Sequence, residues 1–305
     1  MTKPTSVQKI GADALLLITS FFWGITFVIV KEAIGKVSVF FFLSQRFMLA
    51  SAVMILICLL ARRSFTPAAL YRGIVLGILL FGGFAFQTLA LLYTTASNTA
   101  FLTGINVVFV PIIGAVIFRQ VITRTMTLGV VFASVGLFFL CTNGNWVLNR
   151  GDILGFLCAL SVAFHVVFTG EFARRSDVYW LTAVQIGTIG VLSSTIATVQ
   201  GYDVLEWHPE ILWALIICAL FATVFAFLVQ TSMQRFTSPT HTALIFCMEP
   251  VFGAFFAYLL LGERLGVWGI IGAAMILTGM VLSEISFPGR FIWKRGGNDA
   301  GERQG

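Results

Sequence analysis

Residues 240–261 read THTALIFCMEPVFGAFFAYLLL, and Gly262-Glu263-Arg264 follow directly. A helix of that length spans the ~30 Å hydrocarbon core of a bilayer at ~1.5 Å per residue. Its interior holds one ionisable side chain, Glu249, next to Pro250. An acidic residue at membrane depth costs ~2.5–3.5 kcal/mol on insertion scales, so it is expected to face protein or a cavity rather than lipid.

Working outward, the same kind of apolar run recurs ten times. The predicted spans are 12–33, 38–61, 72–93, 97–118, 126–142, 152–172, 178–199, 211–232, 240–261 and 266–285. The chain is 58% hydrophobic and 10% charged, against roughly 25% charged in soluble domains. The expected fold class is therefore an all-α integral membrane protein of ten transmembrane helices. The connections are short, as at Thr66-Pro67 and Ser238-Pro239, and none could fold as a soluble domain.

The ten runs divide into two fives. Adding 143 carries Thr99-Ala100 onto Thr242-Ala243, Phe109 onto Phe252, Gly129 onto Gly272 and Gly136 onto Gly279. It also carries Asn106 onto Glu249 and Asn98 onto His241, whereas Pro111 falls one helical turn later than Pro250. Five is odd, so consecutive halves enter the membrane in opposite senses. Two similar halves of opposite orientation mark inverted-repeat secondary transporters. The expected units are 12–142 and 150–285, followed by a Gly-rich, charged tail over 286–305 that reads as disordered and cytoplasmic.

Orientation follows from the basic residues. With the N-terminus inside, 14 Lys and Arg fall on the cytoplasmic side, among them Arg62, Arg63, Arg174 and Arg175. Four fall on the other, namely Lys31, Lys36, Arg150 and Arg264, while Arg46 lies inside a span. The positive-inside rule then places both termini in the cytoplasm. Lys3 and Lys9 ahead of an apolar run imitate a signal peptide, but the run continues to Val30 and is needed to complete the first five. The net charge of +6 sits in loops, which fits topology and not nucleic-acid binding. Five cysteines lie within apolar runs without metal-ligand spacing and read as small hydrophobes.

The chain resembles the EamA-type ten-helix transporters of the drug/metabolite transporter superfamily. The resemblance rests on Phe22-Trp23-Gly24 with Lys31, Arg46-Phe47 and Ala100-Phe101-Leu102 with Pro111. In the second half it rests on Ala243-Leu244 through Glu249-Pro250, Gly262-Glu263-Arg264, and Gly269 to Gly279. It covers about residues 12–285 and implies two five-helix repeats around a central substrate cavity, usually exporting small metabolites. Arg119-Gln120 stands where many relatives have an acidic residue.

Candidates for the solute path are the polar and aromatic groups at depth. Arg46 and Glu249 either form an internal ion pair that fixes packing or lie on the path, with Glu249 able to take up a proton. Pro250 removes an amide donor and frees a carbonyl one turn back, as in the broken helices of transporters. His165 occupies the place in helix six that Trp23-Gly24 hold in helix one. It reads as a packing residue or a proton carrier. Trp23 is the mid-span aromatic, and Asn106 and Gln87 are uncharged donors and acceptors that serve as interhelical glue or substrate contacts. His241 reads as a capping or headgroup residue.

The sequence lacks HExxH and Walker A motifs, and its five aspartates are read as terminal or in loops, so no enzyme and no ATP-driven pump is expected. No cofactor or metal is expected. The expectation is an inner-membrane carrier, a monomeric unit, moving a small polar or amphipathic metabolite such as an amino acid, either facilitated or coupled to protons. The other class left open is a channel or a non-transporting membrane scaffold.

Overall fold

The computed structural model describes residues 5–142, 149–206, 208–261 and 266–284. The Gly262-Glu263-Arg264 motif, Trp207 and the expected tail 286–305 lie outside the described residues. The first half comprises α1 (Ser6–Ile34), α2 (Val39–Leu60), α3 (Pro67–Tyr93), α4 (Ala96–Gly104), α5 (Asn106–Phe118) and α6 (Arg124–Thr142). The second comprises α7 (Arg150–Phe172), α8 (Val178–Val199), α9 (Leu212–Ile216), a π-helical segment Ile217–Phe225, α10 (Ala226–Met233), α11 (Pro239–Phe246), α12 (Met248–Leu261) and α13 (Val267–Glu284). This is an all-α membrane protein of about ten spans. Among the described residues seven helical stretches are long and apolar enough to cross a bilayer, and Arg124–Leu140 and Val267–Ser283 add shorter apolar helices.

Three expected spans differ from simple rods. Span 97–118 is α4 and α5, joined at Ile105, and span 240–261 is α11 and α12, joined at Cys247. At both joints the chain tightens instead of unravelling. The Ile105 N–H donates to the carbonyls of Phe101 and Leu102, and the Cys247 N–H to those of Ala243 and Leu244. Pro250 lies in the first turn of α12, where a missing N–H costs little, and it deprives the Phe246 carbonyl of its donor. Pro111 lies inside α5, six residues beyond the joint, so it does not set the break in the first half. The third span, 211–232, is interrupted by the π segment, where the Ala226 N–H reaches back five residues to the Phe221 carbonyl. At their starts, α1 and α3 run several residues ahead of the apolar boundaries, because Thr5 and Thr66 cap them with side-chain oxygens on Gln8 and Ala69 N–H. Asp13 therefore lies within α1 rather than in a terminal segment.

The internal repeat is built into the hydrogen bonding. Thr95 caps α4 by accepting the Asn98 N–H at 3.1 Å, and Ser238 caps α11 by accepting the His241 N–H at 3.2 Å. One turn on, Thr99 Oγ1 donates to Thr95 O at 3.0 Å and Thr242 Oγ1 to Ser238 O at 3.1 Å. The first helix of each half opens on a capping box, Thr5 with Gln8 and Asn149 with Asp152.

Packing obeys the same symmetry. Helix α2 packs along α8, and α6 along α13, so corresponding helices pair with one another. The α6–α13 crossing runs through glycines. A Cβ at Gly129 would sit 2.6 Å from the Gly279 carbonyl, and one at Gly136 would sit 2.7 Å from the Gly272 carbonyl. A shift of 143 turns the first contact into the second. Two cores result. One joins α2, α8, α9 and the π segment, the other joins α1, α5, α6, α7 and α11, and Trp23 packs against both.

Candidate functional site

Between the two cores lies a cavity. Trp23, Arg46, Gln87, Asn106, His165 and Glu249 all line it. They come from α1, α2, α3, α5, α7 and α12, four from the first half and two from the second.

Trp23 is held by its indole Nε1, which donates to the Ala222 carbonyl at 2.9 Å inside the π segment. Its ring packs on Phe227 and Phe246, with centroids 5.4 and 4.8 Å away. Gly24 beside it has no room for a side chain, since a Cβ would meet the Glu249 carbonyl at 2.8 Å. That close approach of α1 to α12 sets Trp23 next to the joint that carries Glu249.

Arg46 is 2% exposed. Its Nε donates to Thr223 Oγ1 at 2.9 Å and Nη2 to the Ala222 carbonyl at 3.4 Å. The guanidinium carbon lies 4.8 Å from the Phe84 ring centre and 5.2 Å from that of Phe47. Hydrogen bonds to a charged donor contribute ~1.5–3 kcal/mol, and a desolvated cation–π contact ~2 kcal/mol. Among the described residues no ion pair within 4.0 Å joins Arg46 to Glu249, so an internal ion pair between them is not what fixes their packing. The π segment supplies the acceptors that a carboxylate would otherwise have to provide.

His165 is 1% exposed. Its Nε2 lies 2.9 Å from Gln185 Oε1, and Gln185 Nε2 donates onward to Thr231 Oγ1 at 3.1 Å. Thr169 Oγ1 lies 3.3 Å from the same nitrogen, so His165 sits in a network that joins α7, α8 and α10. Gln87 Nε2 lies 3.4 Å from Thr103 Oγ1, a long bond on the cavity wall. Asn106 opens α5 and donates its Nδ2 to the Thr103 carbonyl at 2.8 Å. Glu249, the second residue of α12, makes no hydrogen bond or ion pair among the described residues.

His241 is not a headgroup contact. Its side chain is 7% exposed, with Nε2 3.1 Å from Asp13 Oδ1 and Nδ1 3.1 Å from Ser283 Oγ. The corresponding Asn98 meets an acid on the first helix of the other half, donating to Asp152 Oδ1 at 2.7 Å. Sequence reasoning missed Ala222 and Thr223, which anchor both Trp23 and Arg46. Ala222 acts through its backbone, which no side-chain pattern reveals. Thr223 left a signal, as the one hydroxyl in the apolar run 211–229.

A two-fold helical bundle with a polar cavity between its halves defines a membrane transporter class. The chain belongs to the EamA-like transporter family, whose model matches residues 10–142 and again 149–285. It is 33% identical to an uncharacterized transporter of Archaeoglobus fulgidus, over 92% of this chain and 87% of that protein. It is 25% identical to a probable amino-acid metabolite efflux pump of Salmonella typhimurium, over 92% of this chain and 96% of that protein. A pump of the same name in Escherichia coli is also 25% identical, over 90% and 95%. A protein crystal structure superposes with a TM-score of 0.75, at 17% identity, covering 90% of this chain and 97% of that one, and shares the fold. The chain is a transporter of this family, and not an enzyme.

Proposed function

We propose that the protein exports a small amino-acid-like or amphipathic metabolite by alternating access around the central cavity. The observation that carries this is the cavity itself, walled by both halves and bordered by both broken helices. The efflux function printed for the Salmonella and Escherichia relatives supports the direction. In this reading the halves 12–142 and 150–285 act as the two rocking units of a monomer. Protons are the coupling ion, and Glu249, an acidic group on the cavity without a partner among the described residues, loads and releases them.

The test is counterflow in proteoliposomes with pooled radiolabelled amino acids, nucleosides and amines. A carrier gives exchange stimulated by substrate on the far side. Flux without such stimulation indicates a channel, and no flux of any solute indicates a scaffold. Measured at saturating substrate, Glu249→Gln should keep exchange and lose acceleration by a pH gradient. Gradient acceleration equal to the parent's removes the proton role.

The basic-residue bias supports an inner-membrane protein with both termini in the cytoplasm. A cysteine placed at Gly201 should then react with an impermeant maleimide from outside, and one at Ser64 should not. The opposite labelling reverses the orientation.

A further inference from the structure

We propose that the corner where the α2–α3 and α7–α8 connections meet binds an anionic phospholipid, with Arg62 and Arg174 as the groups that take its phosphate. The site lies at one end of the bundle, outside the central cavity, and does not depend on what the cavity carries.

Helices α2 and α8 correspond in the two halves, and they end in the same turn. After α2 the N–H groups of Ala61, Arg62 and Arg63 donate to the carbonyls of Ile57, Leu59 and Cys58 at 2.9, 3.0 and 3.0 Å. After α8 those of Gln200, Gly201 and Tyr202 donate to Ile196, Thr198 and Ala197 at 2.9, 2.9 and 3.0 Å. Each turn closes through a left-handed residue, with a φ of 86° at Gly201 and 49° at Arg62. Glycine is the ordinary solution there, because a Cβ is strained in this region. The second half uses it, and the first half places an arginine in the same turn. Among the described residues the Arg62 side chain makes no hydrogen bond or ion pair that would offset the strain.

The neighbouring connection brings more charge of the same sign. Trp180 Nε1 donates to the Arg63 carbonyl at 2.8 Å, Arg63 Nη1 lies 3.8 Å from Asp177 Oδ2, and Arg72 Nη1 donates to the Arg175 carbonyl at 2.6 Å. Those contacts hold the α2–α3 connection and the start of α3 against residues 173–177. Arg63 also lies over Tyr179, Arg72 bonds Ser176 Oγ, and Arg175 pairs with Glu171 at 2.6 Å. Arg62 and Arg174 are exposed, and Arg174 too has no hydrogen bond or ion pair among the described residues. A topology signal needs only positive charge, and Lys supplies it as well as Arg. This corner uses arginine at 62, 63, 72, 174 and 175, the side chain whose planar fork fits phosphate oxygens. The connection after α8 has Asp203, Glu206 and Glu210 and no Lys or Arg from 200 to 211, so the shared turn does not require the arginines. Beside them Leu59, Leu60, Phe65, Leu70 and Tyr71 are exposed. An apolar wall next to a basic rim suits a phosphate that carries acyl chains.

The experiment titrates the delipidated full-length protein in detergent with dioleoyl phosphatidylglycerol and dioleoyl phosphatidylcholine. Native mass spectrometry reads lipid binding, and the thermal midpoint reads folding. Phosphatidylglycerol should bind at least about tenfold more tightly, the scale of one or two charge-assisted contacts. Arg62→Gln combined with Arg174→Gln should remove that preference. Arg62→Gly alone should reduce it, while its midpoint in phosphatidylcholine stays at or above the parent's, because glycine relieves the left-handed turn. A purely structural arginine would not give that combination. Arg235→Gln, a cytoplasmic-side arginine in another connection, should leave the preference unchanged. Equal affinity for the two lipids overturns the proposal. So does a preference kept by the double variant, or one unchanged in Arg62→Gly should the double variant fail to fold. An equal loss in Arg235→Gln would reduce the effect to net charge and also overturns it. Glycerol 1-phosphate is the last arm. Displacement of phosphatidylglycerol by an equal concentration of it would make this a site for soluble phosphate and remove the lipid assignment.

Discussion

The two broken helices begin alike and end differently. Thr95 and Ser238 cap them with the same hydrogen bond, and Thr99 and Thr242 repeat the same back-bond one turn later. Both tighten at a joint and restart with a polar residue on the cavity. There the likeness stops, because α5 brings an amide, Asn106, and α12 brings a carboxyl, Glu249. The same contrast recurs nearby. Buried Arg46 on α2 corresponds in the 143-residue register to buried Ile189 on α8. Asn98 corresponds to His241, each facing an acid on a first helix. The backbone scaffold is kept in duplicate, whereas Arg46 in the first half and Glu249 in the second each lack a charged counterpart in the other.

The largest expected effect probes the duplicated part. Gly136→Leu and Gly272→Leu each drive a side chain into backbone of the facing helix, which overpacking puts at about 3 kcal/mol or more. Both variants should lose the monodisperse peak of the detergent-purified protein in size-exclusion chromatography. A variant that stays folded in one half alone breaks the symmetry argument.

Next comes Arg46, which has no charged counterpart. Arg46→Lys keeps the charge but gives up the planar contacts to Thr223 and Phe84, a loss of about 2 kcal/mol. The thermal midpoint should fall, and a double-mutant cycle with Thr223→Val should show coupling. Additive losses would mean that the 2.9 Å contact between them contributes nothing.

A smaller effect sharpens the contrast at the joints. Glu249→Gln should slow gradient-driven transport about tenfold, equivalent to ~1.4 kcal/mol. Adding Asn106→Asp to it moves the carboxyl to the other half, and part of the gradient response should return. Failure of the exchange to restore any response would show that the two joints are not chemically interchangeable. The smallest effect is His241→Asn, which makes the second half copy the first. Loss of its contacts to Asp13 and Ser283 should cost about 1 kcal/mol, read as a fall in thermal midpoint. A large fall would give this pair a role beyond an edge contact.

Helices were legible in the sequence because a bilayer demands long apolar runs, and the charges between them mark the boundaries. The repeat was legible because Gly129, Gly136, Gly272 and Gly279 must let backbones meet, and no other residue can. Ionisable and amide side chains at depth are rare enough that five of them could be named in advance with Trp23, and the fold brings all six residues to one cavity. The joints were less legible. Prolines signal a missing donor, but the chain bends at Ile105 and Cys247, where ordinary side chains give no warning. The π segment was invisible, since ICALFATVF reads as a uniform apolar helix and its contribution is a backbone carbonyl. An Arg46–Glu249 pair suggested itself from charge alone, and the actual acceptors for Arg46 lie on a helix that carries no charge.

The α6–α13 crossing has one further consequence. Where four glycines meet, main chain lies on main chain, with the Ile276 and Phe132 side chains and the stacked Phe139–Trp268 pair beside the contact. Few side chains stand between the rods at the glycines themselves, so a small tilt about that crossing forces few rotamers to change. Elsewhere the helices interlock through aromatic edges such as Phe109 on Phe156 and Phe47 on Phe84, which resist small displacements. Stiffness in this molecule is therefore unevenly distributed, and the smoothest pivot lies on the axis that relates its halves.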